Sequence, residues 1–195
     1  DDLKQIVLHL GNGASASAVK NGKPIDTSMG LTPLEGLMMG TRTGDIDPAV
    51  VFHLQRVAGM SVDEVDTLFN KKSGMKGMTV WEVINNTSDP EASKRARTAM
   101  DVYINRLLKY VGSYAAELGG LDVITFTAGI GENDDDVRRE LAEALAPFGV
   151  KIDVEANKGR VKEPRIVSTP DSAVTLVVYP TNEELAIARQ ALTFA

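Results

Sequence analysis

His9-Leu10-Gly11-Asn12-Gly13-Ala14-Ser15 lies between an apolar run, Ile6-Val7-Leu8, and an alternating run from Ala14 to Val19. Two glycines flank an asparagine where one strand turns into the next. Glycine lets backbone approach a ligand closely and reach dihedrals that other residues avoid. Successive free N–H groups in such a turn form a concave anion site. Histidine, asparagine and serine side chains add hydrogen-bonding groups. The assembly suits phosphate. It also suits a plain β-hairpin whose turn needs glycine, so the rest of the chain has to decide.

Working outward, residues 3–30 read as an antiparallel meander. Strands are expected at Ile6-Val7-Leu8, from Ala14 to Val19 and from Ile25 to Met29, with Asn21-Gly22 as a two-residue hairpin turn. Residues 31–46 carry little periodicity and are punctuated by Gly30, Gly36, Gly40 and Gly44, as in an irregular functional loop. Asp47 is placed to cap a helix with Pro48 as its first residue, and Gly59 to end it. Ser61 and Glu64 form a capping box for the next helix. A long helix starts at Asp89-Pro90 and stops at Gly119-Gly120. Its apolar positions Ala96, Met100, Tyr103, Leu107, Val111, Tyr114 and Leu118 step by three and four. That face packs either in the core or against a second subunit.

Val123-Ile124-Thr125-Phe126-Thr127 is too apolar for a half-exposed strand and reads as part of a covered sheet. A turn, Ala128 to Asn133, leads into a helix from about Asp135 to Leu145. Strands are expected at Arg165 to Val167 and Val174 to Tyr179, and a last helix after Pro180-Thr181-Asn182. The order implies one α/β domain with a mixed sheet flanked by helices.

Composition narrows the function. The chain has 195 residues, 43% of them hydrophobic, a net charge of −6 and no cysteine. Without a basic block, a broad nucleic-acid-binding face is not expected. A single anionic nucleotide needs only local donors and a metal. The lack of cysteine excludes disulfides, thiolate metal sites and a thiol nucleophile. No segment resembles a signal peptide or a membrane span, so a cytoplasmic protein is the expectation.

Three further segments carry chemistry. Gly129-Ile130-Gly131-Glu132-Asn133 follows a strand's carboxyl end, where open α/β sheets bind ligands. It departs from the dinucleotide fingerprint by lacking the third glycine, and it also reads as a tight strand-to-helix turn. Arg42, within Gly40-Thr41-Arg42-Thr43-Gly44-Asp45, can spread its donors over phosphoryl oxygens, or pair on the surface with Asp45 or Asp47. In Thr181-Asn182-Glu183-Glu184, Glu183 offers a hard oxygen to Mg²⁺. Thr181 and Glu184 have capping-box spacing. His53, mid-helix, reads as structural or solvent-facing, whereas His9 adjoins the glycine turn. No metalloprotease His/Glu spacing, G-x-S-x-G elbow or P-loop is present.

These segments together resemble the acetate kinase family. The resemblance is carried by His9 to Ser15, by Asp26-Thr27-Ser28-Met29-Gly30-Leu31-Thr32-Pro33-Leu34-Glu35-Gly36-Leu37, by Gly40 to Pro48, by Phe126 to Asn133 and by Pro180 to Leu185, in order along nearly the whole chain. It implies the acetate and sugar kinase/Hsp70/actin (ribonuclease H-like) fold. It also implies phosphoryl transfer from ATP to acetate, giving ADP and acetyl phosphate, with Mg²⁺ or Mn²⁺. By resemblance, His9, Leu10, Gly11, Asn12 and Gly13 hold the terminal phosphates. Gly129, Ile130, Gly131, Glu132 and Asn133 contact the adenosine end. Arg42 stabilises the transferring group, Pro33 walls the acetate methyl and Glu183 binds the metal. A homodimer is also implied. A propionate or butyrate kinase is the alternative within the class, and a non-catalytic nucleotide-binding or dimerisation module the alternative outside it.

Two departures from the family pattern carry expectations. The family has an N-terminal domain that supplies further catalytic residues, so residues 1–195 are expected to be a C-terminal nucleotide-binding domain that is inactive alone. The family also has an Asp-x-Arg loop near the adenosine. Here Met78-Thr79 runs straight into Val80-Trp81, so a missing loop between Thr79 and Val80 is expected.

Overall fold

The computed structural model describes residues 2–75, 88–160 and 162–194. The expected missing loop between Thr79 and Val80 lies outside them. Strands β1 (Lys4–Leu10) and β2 (Ala14–Lys20) pair antiparallel, with Leu10 opposite Ala14. The three residues between them form the glycine turn. Asn21 (φ 52°) and Gly22 (φ 75°) then turn the chain into β3 (Lys23–Thr27) with both central residues left-handed, as this hairpin type requires.

β4 (Val123–Thr127) lies parallel to β1, with His9 beside Thr127, and β6 (Thr175–Val178) lies parallel to β4. β5 (Arg165–Ile166) pairs antiparallel with β6. Among the described residues this gives a six-stranded mixed sheet in the order β3-β2-β1-β4-β6-β5. The consequence for the site is direct. Parallel strands β1, β4 and β6 all end at one edge, and the glycine turn, residues 128–133 and residues 179–183 leave that edge together.

One face of the sheet is covered by a long helix. Ile6, Leu8, Leu10, Ala14, Ala16 and Ala18 are fully buried. They meet α3 (Pro90–Leu118), of which the seven residues predicted to form the apolar stripe are all buried. That stripe is therefore core, and it is not left for a second subunit. The helix has the predicted ends: the Asp89 side chain accepts from the Ala92 amide, Pro90 opens the first turn, and Gly119 (φ 70°) closes the last.

The predicted helices before it are α1 (Ala49–Val57) and α2 (Val62–Lys71). In α2 the Ser61–Glu64 capping box is formed in both directions. In α1, Pro48 sits at the cap and the Asp47 carboxylate accepts from Ala49 N at 2.8 Å, so the helix starts one residue later than the sequence suggests.

Two local expectations are corrected. Residues 128–133 are not a tight turn but a short helix, α4 (Ala128–Asn133). Its first residue, Ala128, has φ 64°, and this allows the strand to turn straight into the helix. Asp134 then caps α5 (Asp135–Ala144). After α6 (Val154–Asn157), the final helix is α7 (Glu183–Ala191), capped by Asn182 through Leu185 N at 2.9 Å. Thr181 is not its cap, because its amide and its hydroxyl both donate to Glu132. No helix among the described residues is long and apolar enough to cross a membrane.

Candidate functional site

The edge where β1, β4 and β6 end carries a cleft of about 440 Å³ lined by His9, Ala128, Gly129, Glu132 and Thr181 to Glu184. Its position follows from topology, since ligands of open α/β sheets lie outside the carboxyl ends of the strands. Three predicted segments thus converge: the first strand's end, the start of α4 and the start of α7.

The glycine turn borders this cleft. The Gly11 amide is taken by the Gly13 carbonyl at 3.0 Å. Among the described residues the Asn12 and Gly13 amides donate to no protein atom, which leaves two adjacent donors for an anion. A carbon placed on Gly11 would lie 3.7 Å from Ala128 Cβ, and one on Gly13 would lie 3.4 Å from Arg42 Nη1. The turn therefore sits between the cleft on one side and the Arg42 guanidinium on the other.

Arg42 comes from the irregular loop that precedes α1. The loop docks on the turn through Gly40 N, which donates to Asn12 O at 2.9 Å. Arg42 Nη1 donates to the Pro33 carbonyl at 3.1 Å, and Pro33 itself is exposed. The expected alternative, a surface ion pair of Arg42 with Asp45 or Asp47, is not formed. Asp45 accepts from Arg106 Nη1 at 3.2 Å and the Tyr110 hydroxyl at 2.7 Å, while Asp47 holds the start of α1. The guanidinium is thus held by a carbonyl and keeps its charge available. Burial, and next the Asp45 carboxylate it donates to, push the Tyr110 phenol well above its ordinary range.

The remaining predicted residues sort by what their side chains touch. Leu10 is fully buried under α3 and presents only backbone to the turn. Gly129 is exposed on the cleft. Ile130 packs against the core. Gly131 is buried where α4 crosses Phe126, and its carbonyl accepts from Arg138 Nη1 at 2.8 Å. Asn133 Nδ2 donates to Gly129 O at 2.8 Å. Glu132 spends one carboxylate oxygen on Ala128 N and on Thr181. His53 is exposed on α1, away from the cleft.

Glu183 stands at the rim, largely exposed, with Oε1 3.8 Å from His9 Nε2. That separation is too long for a hydrogen bond, so the carboxylate stays open to another ligand. Among the described residues no cluster of three or more metal-ligating side chains exists. Mg²⁺ is commonly held by one or two carboxylates together with substrate phosphates and water. The donor set here, one open carboxylate on the cleft that the glycine turn borders, fits a hard divalent ion such as Mg²⁺ or Mn²⁺ that brings further oxygen ligands with it.

Sequence reasoning missed Arg138, fully buried on α5, which donates to Gly131 O and to Asn157 Oδ1 and O. Burial lowers its pKa. A signal was present: Arg138, Leu141, Ala142 and Leu145 lie on one helical face. It also missed Arg106 and Tyr110, which brace the Arg42 loop.

Comparison with known proteins decides the family. The model of the acetokinase family matches residues 1–189. The chain belongs to that family. It is 54% identical to an acetate kinase of Corynebacterium aurimucosum over 98% of this chain and 48% of that protein. It is 56% identical to one of Leifsonia xyli over 98% of this chain and 49% of the relative. The crystal structure of Porphyromonas gingivalis acetate kinase superposes with a TM-score of 0.85 at 42% identity, covering 99% of this chain and 49% of that one. A propionate kinase from Francisella tularensis superposes at 0.84 with 39% identity over 96% of this chain and 48% of that one. This acetokinase-family chain thus has the fold of the acetate kinases and spans about half the length of the relatives it matches.

Proposed function

We propose that this chain is the nucleotide-binding half of an acetate kinase, catalysing reversible Mg²⁺-dependent phosphoryl transfer from ATP to acetate. The observation that carries the reading is the placement of the Asn12–Gly13 donors between the Arg42 guanidinium and the cleft bounded by His9 and Glu183. In the forward direction a carboxylate oxygen of acetate attacks the terminal phosphorus, the bond to the bridging oxygen breaks, and ADP leaves with that oxygen's electron pair.

Such a transition state needs positioning and charge neutralisation more than covalent chemistry. The Asn12 and Gly13 backbone amides, together with the Asn12 side-chain carboxamide, bind the terminal phosphates, with His9 beside them. Arg42, preorganised on the Pro33 carbonyl, binds the equatorial oxygens of the transferring group. Gly129, Ile130, Gly131 and Asn133 flank the adenosine end, and the exposed Pro33 ring walls the acceptor's methyl group. Glu183 would hold the divalent ion, which would supply positive charge to offset that of the phosphates.

The half-length match supports placing the carboxylate-activating residues in a separate N-terminal domain, so that this chain binds nucleotide without turning over. The names of the relatives support acetate, and the likeness to a propionate kinase supports propionate as the alternative acceptor. One methylene changes discrimination by only about 1–3 kcal/mol in such pockets. The homodimer reading is supported by an apolar groove of about 390 Å³ flanking α3, where Gly112, Ala115 and Ala116 face Phe148. Cytoplasmic location remains the proposal for a kinase of this class.

The test is acyl phosphate formation from acetate, propionate and butyrate by the full-length protein, with the 195-residue chain alongside. The reading predicts acetate-dependent product in the first and none in the second, which still binds ADP. ADP binding with no transfer in either would favour the non-catalytic module.

A further inference from the structure

We propose that Glu132 is a positioning residue that sets Glu183 in place, and that its carboxylate is not a nucleotide contact. The proposal rests on the reading of Glu183 as the metal ligand. Glu132 Oε1 accepts three hydrogen bonds: from Ala128 N at 2.9 Å, from Thr181 N at 3.0 Å and from Thr181 Oγ1 at 3.1 Å. The first closes α4 on itself across one turn. The other two reach 49 residues along the chain to the segment that opens α7. Thr181 lies two residues before Glu183, and the intervening Asn182 caps the helix through Leu185 N. One oxygen thus joins the segment after β4 to the segment after β6, and fixes where α7 begins.

The consequence falls on Glu183. Its side chain is largely exposed and has His9 Nε2, at 3.8 Å, as its neighbour across the cleft. No hydrogen bond to the Glu183 carboxylate is formed among the described residues, so its direction is set by the backbone that carries it. That backbone is held by Thr181, and Thr181 by Glu132. Hydrogen bonds to a charged acceptor are among the stronger ones, and removing the acceptor leaves two Thr181 donors and the Ala128 amide without their partner. Glutamine at this position keeps an oxygen acceptor and loses only the charge.

The experiment measures Mn²⁺ affinity of the full-length protein at saturating ADP by electron paramagnetic resonance, and metal-free ADP affinity by calorimetry. Glu132→Ala should weaken Mn²⁺ roughly tenfold, with metal-free ADP affinity within about twofold of the parent. Glu132→Gln should restore Mn²⁺ affinity to within about threefold, because the acceptor remains. Thr181→Val removes one of the three bonds and should weaken Mn²⁺ by about threefold, which keeps the test available if Glu132→Ala does not fold.

Metal-free ADP affinity lost in Glu132→Ala with Mn²⁺ affinity retained would overturn the proposal and return Glu132 to the nucleotide. Glu183→Gln separates the two levels. If it weakens Mn²⁺ while Glu132→Ala and Thr181→Val do not, the positioning role alone fails. If it leaves Mn²⁺ unchanged, the metal-ligand reading fails and the positioning role falls with it.

Discussion

The Tyr110 hydroxyl donates to Asp45 Oδ2 at 2.7 Å, tying the loop that carries Arg42 to the middle of the long helix α3. The same carboxylate accepts from Arg106 and, through Oδ1, from the Gly36 amide at 2.8 Å. The irregular stretch between β3 and α1, residues 28–48, is thereby fixed against the core, so that Arg42 meets the glycine turn with little freedom to lose. Tyr110→Phe removes one of these bonds. Turnover of the full-length protein should fall severalfold with ADP affinity unchanged, and stability should drop by about 1–2 kcal/mol in denaturant titration. Unchanged turnover would remove the brace from the account.

The phenols also give a pH dependence. Burial, as the leading cause, raises the Tyr103, Tyr110 and Tyr114 pKa values above the ordinary tyrosine range. A raised folded pKa means that the folded state binds the proton more tightly. The contribution is therefore complete below the unfolded pKa of about 10 and is lost as pH rises above it. Equilibrium unfolding should show stability falling above about pH 10, and absorbance titration should show these phenols ionising only with unfolding. Ionisation of Tyr103, Tyr110 and Tyr114 near pH 10 in the folded protein would contradict this.

Arg42 makes no ion pair with a carboxylate among the described residues, and Nη1 rests on the Pro33 carbonyl. A charge held this way is free for the proposed phosphoryl contact. Arg42→Ala should reduce turnover by about 10³-fold or more while ADP affinity stays largely intact. Equal losses in both would make Arg42 a ground-state anchor.

Ala128 has φ 64°, a conformation that costs a side-chain-bearing residue about 1–2 kcal/mol. Ala128→Gly relieves that strain and adds unfolded-state entropy of about 0.4–1 kcal/mol, so the thermal midpoint should hold or rise slightly. A fall of several degrees would show that the methyl, which lies near the Gly11 turn, packs more usefully than the strain costs.

Much of the fold was legible because periodicity and punctuation agree. The stripe from Ala96 to Leu118, the Asp89-Pro90 start, the Ser61–Glu64 box and the Asn21-Gly22 turn each follow from local chemistry. The failures were non-local. Thr181 has cap spacing, yet Glu132 takes both of its donors from across the sheet. Gly129 to Asn133 also reads as a tight strand-to-helix turn, yet the positive φ of Ala128 starts a helix there at once. Arg42 beside Asp45 suggests a local pair, which Arg106 and Tyr110 pre-empt from 61 and 65 residues away. The candidate site residues were singled out by chemistry type, while their hydrogen-bond partners were set by tertiary contacts that no single window contains.

The central claim is that the turn after β1 and the cleft beside it hold a nucleotide's phosphates. The most direct measurement is a calorimetric titration of the folded 195-residue chain with Mg-ADP, repeated on Asn12→Ala. The account predicts one-to-one binding that Asn12→Ala weakens by about tenfold, in line with loss of one charge-assisted contact. No binding by a cooperatively folded chain, or binding that Asn12→Ala leaves unchanged, would contradict it.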